Sequence, residues 1–194
     1  MSRSPFSFGT KVLAAAAGVL ALFLVVGYLL PADWEAEATA HVDALPAVVF
    51  RFVDSPEGWR EWTSWPESGI ERSGPERGQG AQVSWNDPEL GTGSFALTRV
   101  SEPERVEYRV EVGGSMLTEG AIALAVEGDG VRITWRERGD LGRNPLMGYW
   151  ALFMDRAQSE ELGKSLERLA VVAAATAGDR DGSPPDDPAR SRRD

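Results

Sequence analysis

The chain of 194 residues has no cysteine. That excludes disulfides, thiolate nucleophiles and cysteine-ligated zinc or iron–sulfur centres. Histidine is almost absent as well. His41 alone leaves room for one imidazole base and removes multi-histidine metal sites. Cations are outnumbered, 20 Lys and Arg against 30 Asp and Glu, for a formal charge of −10. Residues 31–177 hold 14 of the basic and 25 of the acidic side chains, so the acidity belongs to the part that folds. Phosphate neutralisation needs clustered cations, and nucleic acid is therefore not an expected partner. There is no Gly-x-Ser-x-Gly elbow. Neither Gly78-Gln79-Gly80 nor Gly91-Thr92-Gly93 begins a helix after a strand, as a dinucleotide loop would. The acidic residues are dispersed along separate elements, so no metal and no cofactor is expected.

What is present begins with VLAAAAGVLALFLVVGYLL, the 19 uncharged residues from Val12 to Leu30. As a helix this run would measure ~28 Å, close to the hydrocarbon thickness of a bilayer. A cleaved signal peptide has a shorter apolar region, followed at once by a small-x-small site. Here the run ends in Tyr28, Leu29, Leu30 and Pro31, and Ala36-Glu37-Ala38 comes well downstream. An uncleaved single-pass anchor over residues 12–30 is the reading favoured, after a cytoplasmic stub of residues 1–11. Arg3 and Lys11 precede the run, and Asp33, Glu35 and Glu37 follow it. By the positive-inside rule the N-terminus is expected in the cytoplasm and the domain outside the cell (inner) membrane.

Trp34 to His41 alternates small apolar and polar residues, the period of a half-buried strand. Asp43 then opens a short helix through Ala47–Phe52, and a second helical turn lies within Asp54–Trp62 with Pro56 in its first turn. Residues 66–80 read as loop. Strands follow at Ala81–Trp85, Gly93–Val100, Arg105–Val112, Met116–Glu127 and Val131–Arg138, separated by short turn signals. Short links imply an antiparallel meander. Val106, Tyr108, Val110 and Val112 share one face and Glu107, Arg109 and Glu111 the other, so one side is wet and one must be covered.

The cover is the helical stretch 145–176. Leu146, Trp150 and Phe153 form one stripe, while Leu162, Leu166, Leu169 and Ala173 form another on the opposite side. One straight helix cannot hold both stripes against one sheet. The spacing predicts a break near Ala157–Ser159, with Ser159 as N-cap and Glu160 and Glu161 in the first turn beyond it. Residues 178–194, polar and proline-rich, are expected to be disordered.

A strand, two short helices, a meander and a long final helix make an α+β chain in the order of a helix-grip fold. The segments 29–65, 78–85, 93–110, 131–145 and 152–169 carry a resemblance in that order. On them the chain, from about Leu29 to Ala173, is similar to the polyketide cyclase/dehydrase branch of the START-like (SRPBCC) superfamily, and the domain is expected over residues 31–177. The resemblance implies a curved antiparallel sheet around the C-terminal helix with a hydrophobic cavity between them, and it does not fix one chemistry. It also implies a hydrophobic small molecule or lipid as ligand; the sequence identifies no protein partner.

Candidate site residues follow from chemistry. Trp59, Trp62 and Trp65 recur every third residue and suit either an aromatic rim at a cavity mouth or a packed core corner. Trp85, Trp135, Tyr149, Trp150 and Phe153 are candidates for the cavity wall. If Trp135 faces in, alternation makes Glu137 the inward acid, with Arg138 beside it as a cation for an enolate or carboxylate. A solvated strand end is the favoured reading of both. His41 and Asp43 form a pair that could orient a base, but a triad would also need a placed nucleophile. Glu137, Arg138, His41 and Tyr149 are the catalytic candidates. The leading expectation is a tethered domain that binds an apolar molecule without transforming it; the alternative is a cyclase, dehydratase or hydrolase using acid–base chemistry in the same cavity.

Overall fold

A computed structural model describes residues 8–114, 116–142 and 144–181, with side chains through Gly178. Helix α1, Phe8–Leu29, is built from Ala, Leu and Val and is long and apolar enough to cross a membrane. It leads into strand β1, Asp33–Val42, whose alternation buries Trp34, Ala36 and Val42 and exposes Glu35, Glu37 and His41. Two one-turn helices follow, α2 at Pro46–Phe50 and α3 at Pro56–Arg60. Ser55 caps α3, accepting a hydrogen bond from the Gly58 amide, and Pro56 occupies the first helical position. At α2 the cap is Leu45, which has no side-chain acceptor, so Asp43 does not open that helix.

Six further strands complete the domain: β2 Ile70–Ser73, β3 Gln82–Asp87, β4 Gly91–Ser101, β5 Arg105–Val112, β6 Met116–Glu127 and β7 Gly130–Asp140. All pairings are antiparallel, and the sheet order is β1-β7-β6-β5-β4-β3-β2. The meander runs from β2 to β7, and β1 closes onto β7, so the chain's first and last strands are neighbours. The outer face is an ion-paired ladder: Arg136 to Glu37, and Arg138 and Arg109 both to Glu119. The inner face is apolar and meets α4, Pro145–Asp181. This is the helix-grip arrangement expected from the sequence.

Helix α4 corrects one expectation. It is continuous through 157–159, and Ser159 is not an N-cap. Its hydroxyl donates back to the Asp155 carbonyl at 2.7 Å within the helix and accepts from the Glu37 amide at 3.3 Å. Asp155 likewise accepts from the Glu35 amide at 3.1 Å. These two contacts occupy amides on the free edge of β1, which would otherwise offer a template for another strand. The two apolar stripes stay on one helix because only one of them meets the sheet, Leu146, Trp150 and Phe153 remaining exposed. Leu162, Leu166, Leu169 and Ala173 enter the core under the sheet, whereas the first turns of α4 lie against α1. The helix also runs four residues beyond 177, into the segment expected to be disordered; residues 182–194 lie outside the described residues.

Candidate functional site: a cavity with a buried carboxyl

A cavity of about 310 Å³ lies between the sheet and the loop after α3, not between the sheet and the C-terminal helix as expected, because the Leu162, Leu166 and Leu169 side chains of α4 fill the core there. Its wall is largely aromatic, with Trp59, Trp65, Trp85, Phe95, Tyr108 and Trp135 around it. Strand alternation places most of these groups: Tyr108 points inward between Val106 and Val110, and Trp135 and Glu137 point inward from β7. The rings interlock, Trp59 lying 4.7 Å from both Trp62 and Tyr108 and 5.6 Å from Trp135, centroid to centroid. Such contacts hold the wall rigid, each adding about 0.5–1.5 kcal/mol beyond its area.

Four side chains at the cavity, Trp135, Tyr108, Glu137 and Gln158, form one connected hydrogen-bonded group. The Trp135 indole donates to the Tyr108 hydroxyl at 2.6 Å, and that hydroxyl donates to Glu137 Oε1. Gln158, reaching in from α4, donates to Glu137 Oε2 at 2.9 Å. Glu137 is only 9% exposed. Burial raises its carboxyl above the ordinary glutamate range, and the bonds from Tyr108 and Gln158 pull in the opposite direction without restoring it. Burial and then the adjacent carboxylate push the Tyr108 phenol well above its usual value. The phenol therefore stays a neutral donor, and the carboxyl is poised to hold a proton at pH values where a surface glutamate has lost it. Gly120 sits opposite Tyr108 in the β5–β6 register. A Cβ there would stand 2.2 Å from the Tyr108 ring, so the absence of a side chain gives the phenol its place.

One donor in the wall has no acceptor. The Trp85 indole nitrogen is buried without a hydrogen-bond partner. By contrast, Trp59 donates to the Val53 carbonyl at 2.8 Å, Trp62 to Phe52 at 2.9 Å and Trp65 to the Thr63 hydroxyl at 2.7 Å. An orphaned buried donor is costly, by about 1–3 kcal/mol.

The sequence candidates separate cleanly. Trp59, Trp65, Trp85, Trp135 and Glu137 line the cavity. Trp62 does not; it packs behind the wall, fully buried against Trp59 and Trp135. Arg138 points to the outer face and pairs with Glu119, because alternation that turns Glu137 in must turn its neighbour out. His41 lies at the far end of the sheet between Asp43 and Glu127, exposed. Tyr149 stacks on Phe23 of α1, and Trp150 and Phe153 are 58% and 70% exposed. Those three lie on the part of α4 that precedes the sheet and take no part in the cavity. Sequence reasoning did not select Tyr108 or Gln158. The signal for Tyr108 was available: a lone hydroxyl on an otherwise aliphatic strand face requires a partner.

The model of the family described as polyketide cyclase / dehydrase and lipid transport matches residues 33–174, most of the chain. The chain belongs to that family. No curated protein matches this member. Among solved structures, a Thermus thermophilus crystal structure is 19% identical with a TM-score of 0.56, covering 74% of this chain and 99% of its own. A Rhizobium leguminosarum protein of uncharacterised function is 18% identical, TM-score 0.51, covering 73% and 94%. The di-domain ARO/CYC BexL from the BE-7585A biosynthetic pathway is 13% identical, TM-score 0.53, covering 85% of this chain and 60% of that one. At these identities the likeness establishes the helix-grip fold of this polyketide cyclase/dehydrase family member. A larger depression of about 710 Å³ on the same domain is lined largely by charged side chains of the outer face, such as Glu119, Arg136 and Arg138. These are already ion-paired and suit solvent.

Proposed function

We propose that this protein is a single-pass, membrane-anchored helix-grip domain that binds a hydrophobic small molecule or lipid and does not transform it. The carrying observation is the aromatic cavity with two polar features in its wall: a buried indole donor at Trp85 that has no acceptor, and the hydrogen-bonded Glu137–Tyr108 pair. An apolar body gains about 25 cal/mol per Å² removed from water. A carbonyl or ether oxygen on it would satisfy Trp85, and a hydroxyl would address the carboxyl. Arg3 and Lys11 before the uncharged run of residues 12–30, and Asp33, Glu35 and Glu37 after it, support an orientation with the domain outside the cytoplasmic membrane. Native mass spectrometry of the full chain released from detergent, after exposure to lipids and aromatic polyketides, tests the reading. An adduct is expected, weakened severalfold by Trp85→Phe. A chain that stays empty across the panel would overturn it.

One observation favours the catalytic alternative. A carboxyl with a raised pKa, bonded to a phenol inside an apolar cavity, is equipped to donate a proton to an enolate or a departing hydroxyl. In that reading Glu137 is the acid, and Arg138, His41 and Tyr149 have no access to the substrate. Product in the same incubations, abolished by Glu137→Gln while the adduct persists, would select catalysis over carriage.

A further inference from the structure

The cavity and α1 share one end of the domain. In the sheet register Asp33, the first residue of β1, lies opposite Asp140, Asp140 opposite Leu117, and the neighbouring Met116 opposite Val112. Val112 and the 57%-exposed Leu90 line the cavity, so it reaches the surface at the strand ends nearest α1. Helix α4 extends past that same end. Asp155 is level with Glu35, and the ten residues before it, at ~1.5 Å each, carry the helix ~15 Å back alongside α1.

The crossing there is close. A Cβ on Gly27 would meet the Pro145 carbonyl oxygen at 2.1 Å, and one on Gly148 the Gly27 oxygen at 2.4 Å. Tyr149 stacks on Phe23 with centroids 4.4 Å apart and donates to its carbonyl at 2.8 Å. Residues 144–154 carry no charge. Leu146, Trp150, Leu152 and Phe153 are exposed on this stretch, and Asp155 and Arg156 end it.

We propose that this end of the domain rests on the bilayer that α1 crosses, with Leu146, Trp150, Leu152 and Phe153 inserted at the headgroup level and Leu90 and Met116 touching it across the sheet. The continuity of these side chains with α1 names the occupant: a lipid surface. Tryptophan and aliphatic residues next to a span favour that depth. Asp33, Glu89 and Asp140 at the same end make anionic headgroups unfavourable, so the contact is apolar and indifferent to salt. The cavity then exchanges its contents with the membrane rather than with water. The proposal rests on the reading of α1 as an anchor and of the cavity as a ligand site.

Because the chain has no cysteine, single labels are clean. The full chain, reconstituted in phosphatidylcholine vesicles, would carry an environment-sensitive fluorophore at Leu20→Cys, Leu90→Cys, Phe153→Cys or Val126→Cys, the last exposed at the opposite end of the sheet. Doxyl-labelled phosphatidylcholine should quench the labels at 20, 90 and 153 severalfold more than the one at 126, equally at low and high salt. Quenching at 20 with 90 and 153 no different from 126 would overturn the seating while leaving the anchor intact. No quenching at 20 would overturn the anchor and the seating together.

Discussion

At the scale of single residues the decisive group is Glu137, a carboxyl placed where a carboxylate is disfavoured. Its pKa is higher in the folded state than in the unfolded chain. Folding therefore takes up a proton between the two values, and the favourable contribution is complete at pH below about 4.3, the unfolded value. It is lost as pH rises through the raised folded value. Thermal unfolding of Glu137→Gln followed against pH should show a gain over the wild type that grows on going from acid toward neutral pH. A difference that is flat with pH would mean the carboxyl is not desolvated. Gly120→Ala tests the other half of the pair. The new methyl group cannot coexist with the Tyr108 ring, and overpacking of this kind costs about 1–3 kcal/mol. Denaturant titration should register that loss, and an unchanged midpoint would show that Tyr108 has room to move. The inward direction of Glu137 was legible from period-two alternation. Its partners were not, because Tyr108 and Gln158 are 29 and 21 residues away in sequence and meet it only through the β5–β6–β7 register and the passage of α4.

At the scale of elements, most of the sheet was written in the sequence, since amphipathic strands between glycine- and proline-bearing turns leave little freedom. β5 and β6 begin and end at the residues expected. β2 was missed: it is four residues long, largely exposed, and set in a Gly- and Pro-rich stretch, so its pairing with β3 rather than its composition defines it. Helix α4 was misjudged for a different reason. Two stripes on opposite sides imply a bend only if both must meet the sheet, and here the stripe of Leu146, Trp150 and Phe153 stays exposed. The consequence is a steep difference between the halves. Leu166 is wholly buried under the sheet, whereas Phe153 faces outward. In the detergent-solubilised chain Leu166→Ala should cost about 2–5 kcal/mol, the range for emptying a core site. Phe153→Ala should stay within about 0.5 kcal/mol, as for an exposed position. Equal losses by denaturant titration would mean that the first turns of α4 do pack into the core.

At the scale of the whole molecule, the structure joins an apolar helix to a ligand-sized hollow through one small contact. The orientation of α1 to the domain is set by side-chain and backbone contacts. The Gly27–Gly148 crossing supplies them, together with the Phe23–Tyr149 stack and the bond from the Leu141 amide to the Ala32 carbonyl at 3.1 Å. Glycines at a crossing let two helix backbones approach, as small residues do between helices in lipid. Composition marked α1 as apolar but said nothing of this contact, because two glycines more than a hundred residues apart carry no shared pattern. Gly148→Leu would drive its side chain into the Gly27 carbonyl and Leu30, and the helices must part. The core residues Leu162, Leu166 and Leu169 are remote from that point along α4, so the domain should keep its fold. Amide exchange of the reconstituted chain should therefore quicken at residues 30–33 and 144–149 while β4 and β5 keep their protection. Unchanged exchange at the crossing would show that α1 and the domain are linked only by the peptide from Leu30 to Ala32. In that case nothing would hold the cavity mouth toward the bilayer.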